Sequence, residues 1–301
     1  MATKCLLIYN PVSGNDSITN AELLEMAQVR MPDFAIELWE TTGENDEDKI
    51  IAKYEESKPD LVLIGGGDGT VKLVAKCLQH KGVPMCILPL GSANGLAKCL
   101  GINDLVDSWE SVRDFKIHDI DAIQINGELC LHLADFGINA NLVQKFEQEE
   151  SRGMLAYVKN SFSEIFGTES RTFILKISEE SIELKAKMIV LANGDQYGTG
   201  AIVNCKGIMD DGKFEVIAFN PETADDYLRM TMAFIKGDID QVDGVQTWSV
   251  EECQLSNPEG AEFQIDGEIM ETTDFISAKI EKHAFKFLTG KSFGACHTSL
   301  D

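Results

Sequence analysis

The stretch that decides the fold is LVLIGGGDGTVKLVAKCL, residues 61–78. Four apolar residues lead into a loop where glycine fills four of the five positions 65–69, and helix-favouring residues follow. This order predicts a buried strand, a tight loop and a helix. One carboxylate, Asp68, stands among the glycines, so the loop needs a chemical explanation as well as a conformational one.

The first hundred residues repeat this alternation of strand and helix patterns. The apolar runs KCLLIY (4–9), FAIELWE (34–40) and VPMCILPL (83–90) read as strands, and helical patterns lie between them. Strands separated by helices are typical of βαβ units. We therefore predict an α/β domain with a parallel sheet over residues 1–120.

After about residue 114 the pattern of apolar and polar residues changes from alternating strands and helices to a series of strands. The segment 116–137, KIHDIDAIQINGELCLHLADFG, alternates with period two, and Asn126-Gly127 within it is a hairpin signal. Further strand patterns follow, with helical interruptions at 152–167 and 223–237. We predict an antiparallel, β-rich second domain over residues 121–280, and leave open that the tail, about residues 280–301, packs back on the first domain.

Composition excludes several classes of protein. The chain has 301 residues, 44% of them hydrophobic, and a formal net charge of -24. This charge argues against a nucleic-acid binder and against tight docking on anionic membranes. No apolar run is long enough for a signal peptide or a membrane span. Eight scattered cysteines indicate reduced thiols in a cytoplasmic protein.

The glycine loop is one of four loops that follow predicted strands. The others are NPVSG (10–14), WETTG (39–43) and LPLGSAN (88–94). Ligands of open parallel sheets bind beyond the carboxyl ends of the strands. Glycines there let backbone N–H groups surround a phosphate, and the following helix N-terminus adds positive charge. A carboxylate fits such a loop if Mg²⁺ lies between it and the phosphates, so Asp68 predicts a metal–nucleotide site.

The glycine loop also has other interpretations. The purely structural alternative is a tight turn that needs glycine for its backbone conformation and binds no ligand. TGKS at 289–292 lacks the earlier glycine of a Walker A loop, so we interpret it as a chance match. The glycine loop is not the dinucleotide-binding fingerprint either, because Thr70 stands where that motif has its third glycine.

The ordered set of motifs resembles the diacylglycerol kinase catalytic-domain family, which includes bacterial soluble lipid kinases, sphingosine kinases and ceramide kinases. The resemblance rests on NPVSG (10–14), GGDGT (66–70), LPLGSAN (88–94), LADFGINANLV (133–143), RGMLAYV (152–158), the run 191–219 and IDGE (265–268). It spans nearly the whole chain. It implies a nucleotide-binding domain like that of NAD kinases and diacylglycerol kinases, a C-terminal antiparallel β-sandwich with a lipid pocket, and an active site between them.

The resemblance also implies site residues. ATP and Mg²⁺ would be the cofactors, and the nucleotide contacts would be Asn10, Pro11, Ser13, Gly14, Thr41, Gly66, Gly67, Asp68, Gly69, Thr70, Lys72, Ser92 and Asn94. Glu268 would be the general base, with Asp266 as its rival. A second Mg²⁺ would use the backbone of Ile208 and Lys213 and the carboxylate of Asp211.

The residues of IDGE support this chemistry by themselves. Phosphoryl transfer needs a carboxylate near the acceptor hydroxyl. In a strand, residues 266 and 268 would point to the same face, and a turn at Gly267 would still let both approach one metal or hydroxyl. The bland alternative is an ordinary hairpin turn with solvated acids.

The leading hypothesis is a cytoplasmic, ATP-dependent lipid kinase that contacts the membrane transiently at its periphery. It would transfer the γ-phosphoryl group to a hydroxyl of diacylglycerol or a long-chain base. One alternative is a binding protein that has lost catalysis, because Lys72, Leu73 and Gly95 depart from the family pattern. Another is an NAD kinase, which shares the G-G-D-G-T loop, although its T-P-T-G-S-T-A-Y segment has no counterpart here. Whether the chain forms a homodimer stays open.

Overall fold

The computed structural model describes residues 3–14, 18–137, 169–198 and 200–294, without the side chain of residue 240. The predicted helix at 152–167 lies outside these ranges. The chain divides into two compact units. The first contains Met1–Ile120 and His283–Phe293, and the second contains Asp121–Lys282.

The first unit is an α/β domain with a parallel sheet, as the alternation of patterns predicted. Its strands run in the order β2-β1-β3-β4, all parallel, and the end of β16 from the second half of the chain pairs in parallel with β4. The elements are β1 (Thr3–Tyr9), α1 (Asn20–Arg30), β2 (Phe34–Glu40), α2 (Asp46–Ser57), β3 (Leu61–Gly66), α3 (Asp68–Leu78), β4 (Pro84–Pro89), α4 (Gly95–Cys99) and α5 (Leu105–Asp114).

Burial explains why these segments form strands in this order. Every residue of β3 is buried, and β1 is buried from Cys5 to Tyr9, so the central strands are continuous apolar runs. The edge strand β2 alternates between exposed and half-buried residues over its first half. The sequence pattern allows Thr19 or Asn20 as the N-cap of α1. In the structure the cap is Thr19, which forms a reciprocal capping box with Glu22.

The second unit is built from antiparallel strands and one described α-helix. Its elements are β5 (Ile117–Ile125), β6 (Glu128–Cys130), β7 (Leu133–Phe136), β8 (Arg171–Ile177), β9 (Glu180–Ala186), β10 (Met188–Ala192), β11 (Phe214–Phe219), α6 (Ala224–Lys236), a 3-10 helix (Ile239–Gln241), β12 (Val245–Val250), β13 (Glu252–Ser256), β14 (Phe263–Ile265), β15 (Glu268–Ile269) and β16 (Phe275–Leu288). Strands β5 and β16 each begin in one unit and end in the other.

These strands form a β-sandwich. One layer has the order β16-β13-β8-β9 and the other β12-β11-β10-β7-β14-β15. Side chains from both layers meet in one buried cluster, which includes Phe136, Phe173, Phe214 and Phe263. Helix α6 covers the opposite face of the six-stranded layer, where Phe234 packs with the β11 side chain of Phe219.

A local prediction is confirmed at the first hairpin of the second unit. Asn126 and Gly127 both have positive φ and join β5 to β6 as a two-residue hairpin, as the sequence predicted. In the described part of the chain, no helix is long and apolar enough to cross a membrane.

Candidate functional site

The strand-end loops of the first unit are joined by hydrogen bonds. The Asn10 side-chain amide donates to the Thr70 hydroxyl at 3.0 Å, which links NPVSG to GGDGT. The backbone N–H of Leu90 donates to the carbonyl of Gly66 at 3.0 Å, which links LPLGSAN to the same glycine loop. The N–H of Thr41 donates to the Tyr9 carbonyl at 2.9 Å. All four loops therefore converge at one edge of the sheet.

Glycine is needed here because the loops approach each other through their backbones. A Cβ on Gly91 would lie 2.4 Å from the Cα of Gly67, and a Cβ on Gly14, whose φ is +78°, would lie 2.2 Å from the Leu90 carbonyl oxygen. Real Cβ contacts are essentially never this short, so no other residue fits without moving a loop. Close packing between loops is thus one reason for the glycines.

The N-terminus of α3 supplies the second reason. The helix has eleven residues, and its N-cap, Gly67, has no side chain that could satisfy the first N–H groups. Gly69 in the first turn is exposed, and a Cβ there would meet nothing within 4 Å. Uncapped N–H groups at a helix N-terminus bind anions. This glycine cradle fits a phosphate group.

The structure gives Asp68 a partner that the sequence did not reveal. Its two carboxylate oxygens accept the backbone N–H groups of Gly95 at 3.0 Å and Leu96 at 3.2 Å, at the start of the short helix α4. Asp68 therefore ties the glycine loop to LPLGSAN. Burial lowers the pKa of the nearby Lys98 ammonium, and the charge of Asp68 partly opposes this shift. A role for Asp68 as a magnesium ligand stays a prediction.

The WETTG loop is held by a residue that the sequence analysis missed. Asp46, in the first turn of α2, accepts N–H groups from Thr42 at 3.0 Å and Gly43 at 2.7 Å, and the Thr42 hydroxyl at 2.8 Å. Burial by itself would raise the pKa of Asp46, but these hydrogen bonds and Lys49 hold it below its ordinary value. The signal was an aspartate at the start of a helical pattern after a turn.

The remaining predicted nucleotide contacts lie in these loops. The Asn94 side chain closes its own turn, since it donates to the Gly91 carbonyl at 2.6 Å and accepts the Gly91 N–H at 3.0 Å. Ser92 is exposed, whereas Pro11, Ser13, Thr41 and Lys72 are half-buried. The structure thus gathers the predicted set around one sheet edge, and their contact with a nucleotide stays a prediction.

In the second unit, IDGE forms a tight hairpin. Ile265 pairs with Glu268, and the two residues between them have positive φ, +51° for Asp266 and +85° for Gly267. This is the signature of a type I′ turn. Of the two arrangements that the sequence allowed, the strand with residues 266 and 268 on one face is not formed. The turn at Gly267 is formed, with Asp266 in the turn and Glu268 at the start of β15.

The Asp266 carboxylate is buried within a shell of hydrogen-bond donors. Its side chain is 3% exposed. It accepts the N–H groups of Leu131 at 2.9 Å, His132 at 3.0 Å and Leu133 at 3.4 Å, and lies 2.8 Å from the His132 Nδ1. Such a carboxylate stabilises the hairpin and the 131–133 backbone. Asp266 is therefore not a solvated acid, contrary to the interpretation of IDGE as an ordinary hairpin turn with solvated acids.

Glu268 differs from Asp266 in exposure. It is exposed at the start of β15, next to the exposed Ile269. Its position is fixed by the turn that Asp266 holds. Glu268 is therefore the more exposed of the two acids, and its role as the general base stays a prediction.

The predicted second metal site lies in the turn before β11. The Asp211 carboxylate accepts the N–H of Lys213 at 2.9 Å, and the buried Asp121 accepts the N–H of Gly212 at 2.7 Å. These contacts order the turn, and Ile208 is 54% exposed. Within the described ranges no three His, Cys, Asp or Glu side chains form a metal-binding group. One carboxylate with backbone carbonyls is a hard-oxygen set that fits a partly hydrated Mg²⁺.

Comparisons with known families cover both units. Residues 4–125 match the family model described as the diacylglycerol kinase catalytic domain. Residues 133–286 match the model described as the YegS C-terminal NAD kinase beta sandwich-like domain.

Curated relatives match over most of their length. A protein of Staphylococcus haemolyticus, named "Putative lipid kinase", is 26% identical over 298 residues, which cover 94% of this chain and 95% of the relative. A Pseudomonas aeruginosa protein, named "Probable lipid kinase YegS-like", is 26% identical over 221 residues, which cover 70% of each chain.

Solved structures share the fold. A diacylglycerol kinase from Bacillus anthracis has a TM-score of 0.71 at 17% identity and covers 96% of this chain and 98% of its own. An NAD kinase from Archaeoglobus fulgidus in complex with ATP has a TM-score of 0.54 at 13% identity and covers 97% and 95%. These similarities confirm the predicted fold class, an α/β domain followed by a β-sandwich.

Proposed function

Because the chain belongs to the diacylglycerol kinase catalytic-domain family, we propose that it is an ATP-dependent lipid kinase. It would transfer the γ-phosphoryl group to a hydroxyl of a lipid of the diacylglycerol or long-chain-base type. The observation that carries this proposal is the division of roles in the IDGE hairpin. Asp266 is buried among N–H donors while Glu268 is exposed beside it.

The first unit supplies features suited to a nucleotide. The uncapped N-terminus of α3 and the exposed Gly69 form a cradle for phosphate oxygens. Asn10 and Thr70 fix the two flanking loops through their 3.0 Å hydrogen bond. Lys72 on α3 adds a positive charge two residues after Thr70. We propose that these groups hold the phosphates of ATP.

The transfer step requires one proton acceptor. Glu268 would take the proton of the lipid hydroxyl as the hydroxyl oxygen forms a bond to the γ-phosphorus. The bond from that phosphorus to the bridging oxygen breaks, and ADP leaves with the electron pair. The phosphorylated lipid and protonated Glu268 result, and Glu268 then loses its proton to water.

Magnesium would supply charge neutralisation to the phosphates when bound. Asp68 is the carboxylate of the glycine loop, and its oxygens keep further lone pairs beyond the two N–H contacts. Asp211, with the carbonyls of Ile208 and Lys213, would hold the second ion and stabilise the turn before β11.

A lipid acceptor implies transient contact with a membrane or a lipid carrier. The net charge of -24 opposes adsorption to anionic lipid. We therefore propose brief, salt-dependent encounters rather than stable residence on a membrane.

Two other functions remain as alternatives. The departures Lys72, Leu73 and Gly95 favour a nucleotide- or lipid-binding protein without catalysis. Residue 95 contacts Asp68 through its backbone N–H, so this hydrogen bond does not depend on which side chain the position carries. The fold shared with an NAD kinase favours phosphorylation of a soluble acceptor.

The test is transfer of labelled phosphate from γ-labelled ATP with Mg²⁺ to a lipid extract, to purified lipids and to NAD. We expect label in the organic phase with wild type and a loss of at least a hundredfold with Glu268→Gln, because general-base catalysis contributes about 10²–10⁴. Glu271→Gln, an exposed acid three residues on, is the matched control and should keep full activity.

The three outcomes separate the alternatives. Label in NAD but not in lipid would overturn the proposal in favour of a soluble acceptor. No transfer, together with a melting temperature raised by ATP-Mg²⁺, would favour a non-catalytic binder. Full lipid phosphorylation by Glu268→Gln would show that Glu268 is not the base.

A further inference from the structure

The four-stranded layer of the second unit ends in an open edge strand. In the described part of the chain, β9 is the last strand of the order β16-β13-β8-β9 and pairs with β8 alone. Its residues Glu180–Ala186 pair one to one with Arg171–Ile177, so no β-bulge interrupts the strand, and it contains no proline. Such an edge presents a row of backbone N–H and C=O groups to which another strand can bind.

The register with β8 determines which backbone groups of β9 face outward. Ile177 pairs with Glu180 across a two-residue turn. The two residues that flank such a turn exchange both of their backbone hydrogen bonds, and the exchange recurs at every second pair of an antiparallel ladder. The N–H and C=O groups of Ser181, Glu183 and Lys185 therefore point away from β8. A partner strand would bind through these three residues.

The side chains of β9 alternate between the core and the outer face of the layer. Leu184 and Ala186 belong to the buried cluster between the two layers, and the half-buried Ile182 packs against it. Glu183 and Lys185 are exposed, and both lie opposite uncharged residues of β8. The two opposite charges on the outer face therefore have no charged partner across the β8–β9 ladder.

The other edge strands that the structure describes lack this combination of charges. The charged residues of β2 are both acids, Glu37 and Glu40, and β12 carries no charged residue. Strands β6 and β15 have only three and two residues. Charged side chains on an edge commonly prevent it from pairing. A glutamate and a lysine at alternate positions still allow pairing with a strand that places the opposite charge against each of them.

Two copies of β9 meet this condition when they run antiparallel with the two-fold axis at Leu184. Glu183 of each copy then lies opposite Lys185 of the other, and these residues also direct their backbone groups toward each other. On the core side, Ile182 lies opposite Ala186 of the second copy. An axis one residue away, at Glu183 or at Lys185, would set two like charges directly opposite each other, which is destabilising.

We propose that the free edge of β9 pairs with the same edge of a second copy of this chain, which joins the two β-sandwiches into a homodimer with one continuous antiparallel layer. The interface is isologous, because one strand supplies both sides. The inference does not depend on the proposed kinase function.

The conditions for this dimer follow from its size and charge. One strand pair buries a small area, and the net charge of -24 on each copy opposes association. We therefore expect dimers at about 10–100 µM protein, as for other small interfaces. The ionic strength should be about 0.15 M, because charges more than about 8 Å apart are then largely screened whereas contacting ion pairs are less affected.

Analytical ultracentrifugation over this concentration range tests the proposal. We expect wild type to show a reversible equilibrium between monomer and dimer. Glu183→Lys and Lys185→Glu each place like charges opposite each other at two positions, so each should raise the dissociation constant by about tenfold or more. Lys176→Glu is the matched control, because Lys176 is an exposed lysine on the outer face of β8 and its replacement changes the net charge as much as Lys185→Glu. It should dimerise like wild type.

An equimolar mixture of Glu183→Lys and Lys185→Glu separates charge pairing from any effect on folding. One variant has lysine and the other has glutamate at both positions 183 and 185, so every charged pair across the axis is again of opposite sign. We expect the mixture to form a dimer with a dissociation constant within about threefold of the wild-type value. The double variant that exchanges the two charges should recover the dimer in the same way.

Three results would overturn the inference. Wild type could stay monomeric over the whole range. The single variants could dimerise as wild type does, which would place the contact elsewhere on the molecule. The mixture of two folded variants could stay as monomeric as its components. Circular dichroism checks that each variant is folded; if a single variant is not, the charge-exchanged double variant decides, and its failure to dimerise where wild type does would overturn the inference.

Discussion

The side-chain amide of Asn10 donates to the hydroxyl of Thr70 at 3.0 Å, which joins the loop after β1 to the first turn of α3. Thr70 is 6% exposed. Thr70→Val keeps the shape of the side chain but leaves the amide without this acceptor. We expect a loss of about 1–3 kcal/mol in the free energy of unfolding and weaker binding of ATP-Mg²⁺, measured by urea unfolding and calorimetry. Thr70→Ser, which keeps the hydroxyl, should behave nearly as wild type.

The approach of Gly67 and Gly91 separates the two reasons for the glycines. Gly91→Ala would put a Cβ 2.4 Å from a backbone atom of Gly67, so we expect about 1–3 kcal/mol lower stability as well as weaker nucleotide binding. Gly69→Ala meets nothing within 4 Å in the protein and should keep or slightly raise stability. If phosphate occupies the cradle, the added methyl group should nevertheless weaken ATP binding. Equal ATP affinity in Gly69→Ala and wild type would contradict this placement.

The IDGE hairpin predicts opposite phenotypes for its two acids. Asp266→Asn would set an NH₂ group among the N–H donors of Leu131 and His132, so we expect about 2–4 kcal/mol lower stability. Glu268→Gln, at an exposed position, should unfold within about 0.5 kcal/mol of wild type while losing phosphoryl transfer. Urea unfolding followed by circular dichroism measures both. Wild-type stability in Asp266→Asn would show that its carboxylate is not structural.

The sequence predicted what depends on neighbouring residues. Thr19 as a helix cap and Asn126-Gly127 as a hairpin each have a local physical cause. The shell around Asp266 could not be predicted, because its donors include Leu131, which lies 135 residues earlier in the chain. The contact of Asp68 with α4 depends on two loops meeting in space. Long-range packing thus decides which acids are structural and which are available for chemistry.

Asp46 predicts a defined dependence of stability on pH. Although burial opposes ionisation, hydrogen bonds from Thr42 and Gly43 hold the pKa of Asp46 below its ordinary value. A carboxyl whose pKa is lower in the folded state stabilises the protein at pH values above the unfolded pKa. This contribution should be complete at pH 7 and should disappear as the pH falls through the lowered pKa of the folded state.

The variant Asp46→Asn isolates this contribution from the other acids. We expect it to unfold about 1–3 kcal/mol more easily than wild type at pH 7, and the difference should shrink in urea titrations repeated toward pH 2.5. Asp48→Asn, an exposed acid in the same helical turn, should show a small difference at pH 7. A gap between wild type and Asp46→Asn that stays constant from pH 7 to pH 2.5 would mean that the Asp46 charge does not stabilise the WETTG loop. In that case the weaker ATP binding that we expect of Asp46→Asn, through a looser loop around Thr41, would not follow either.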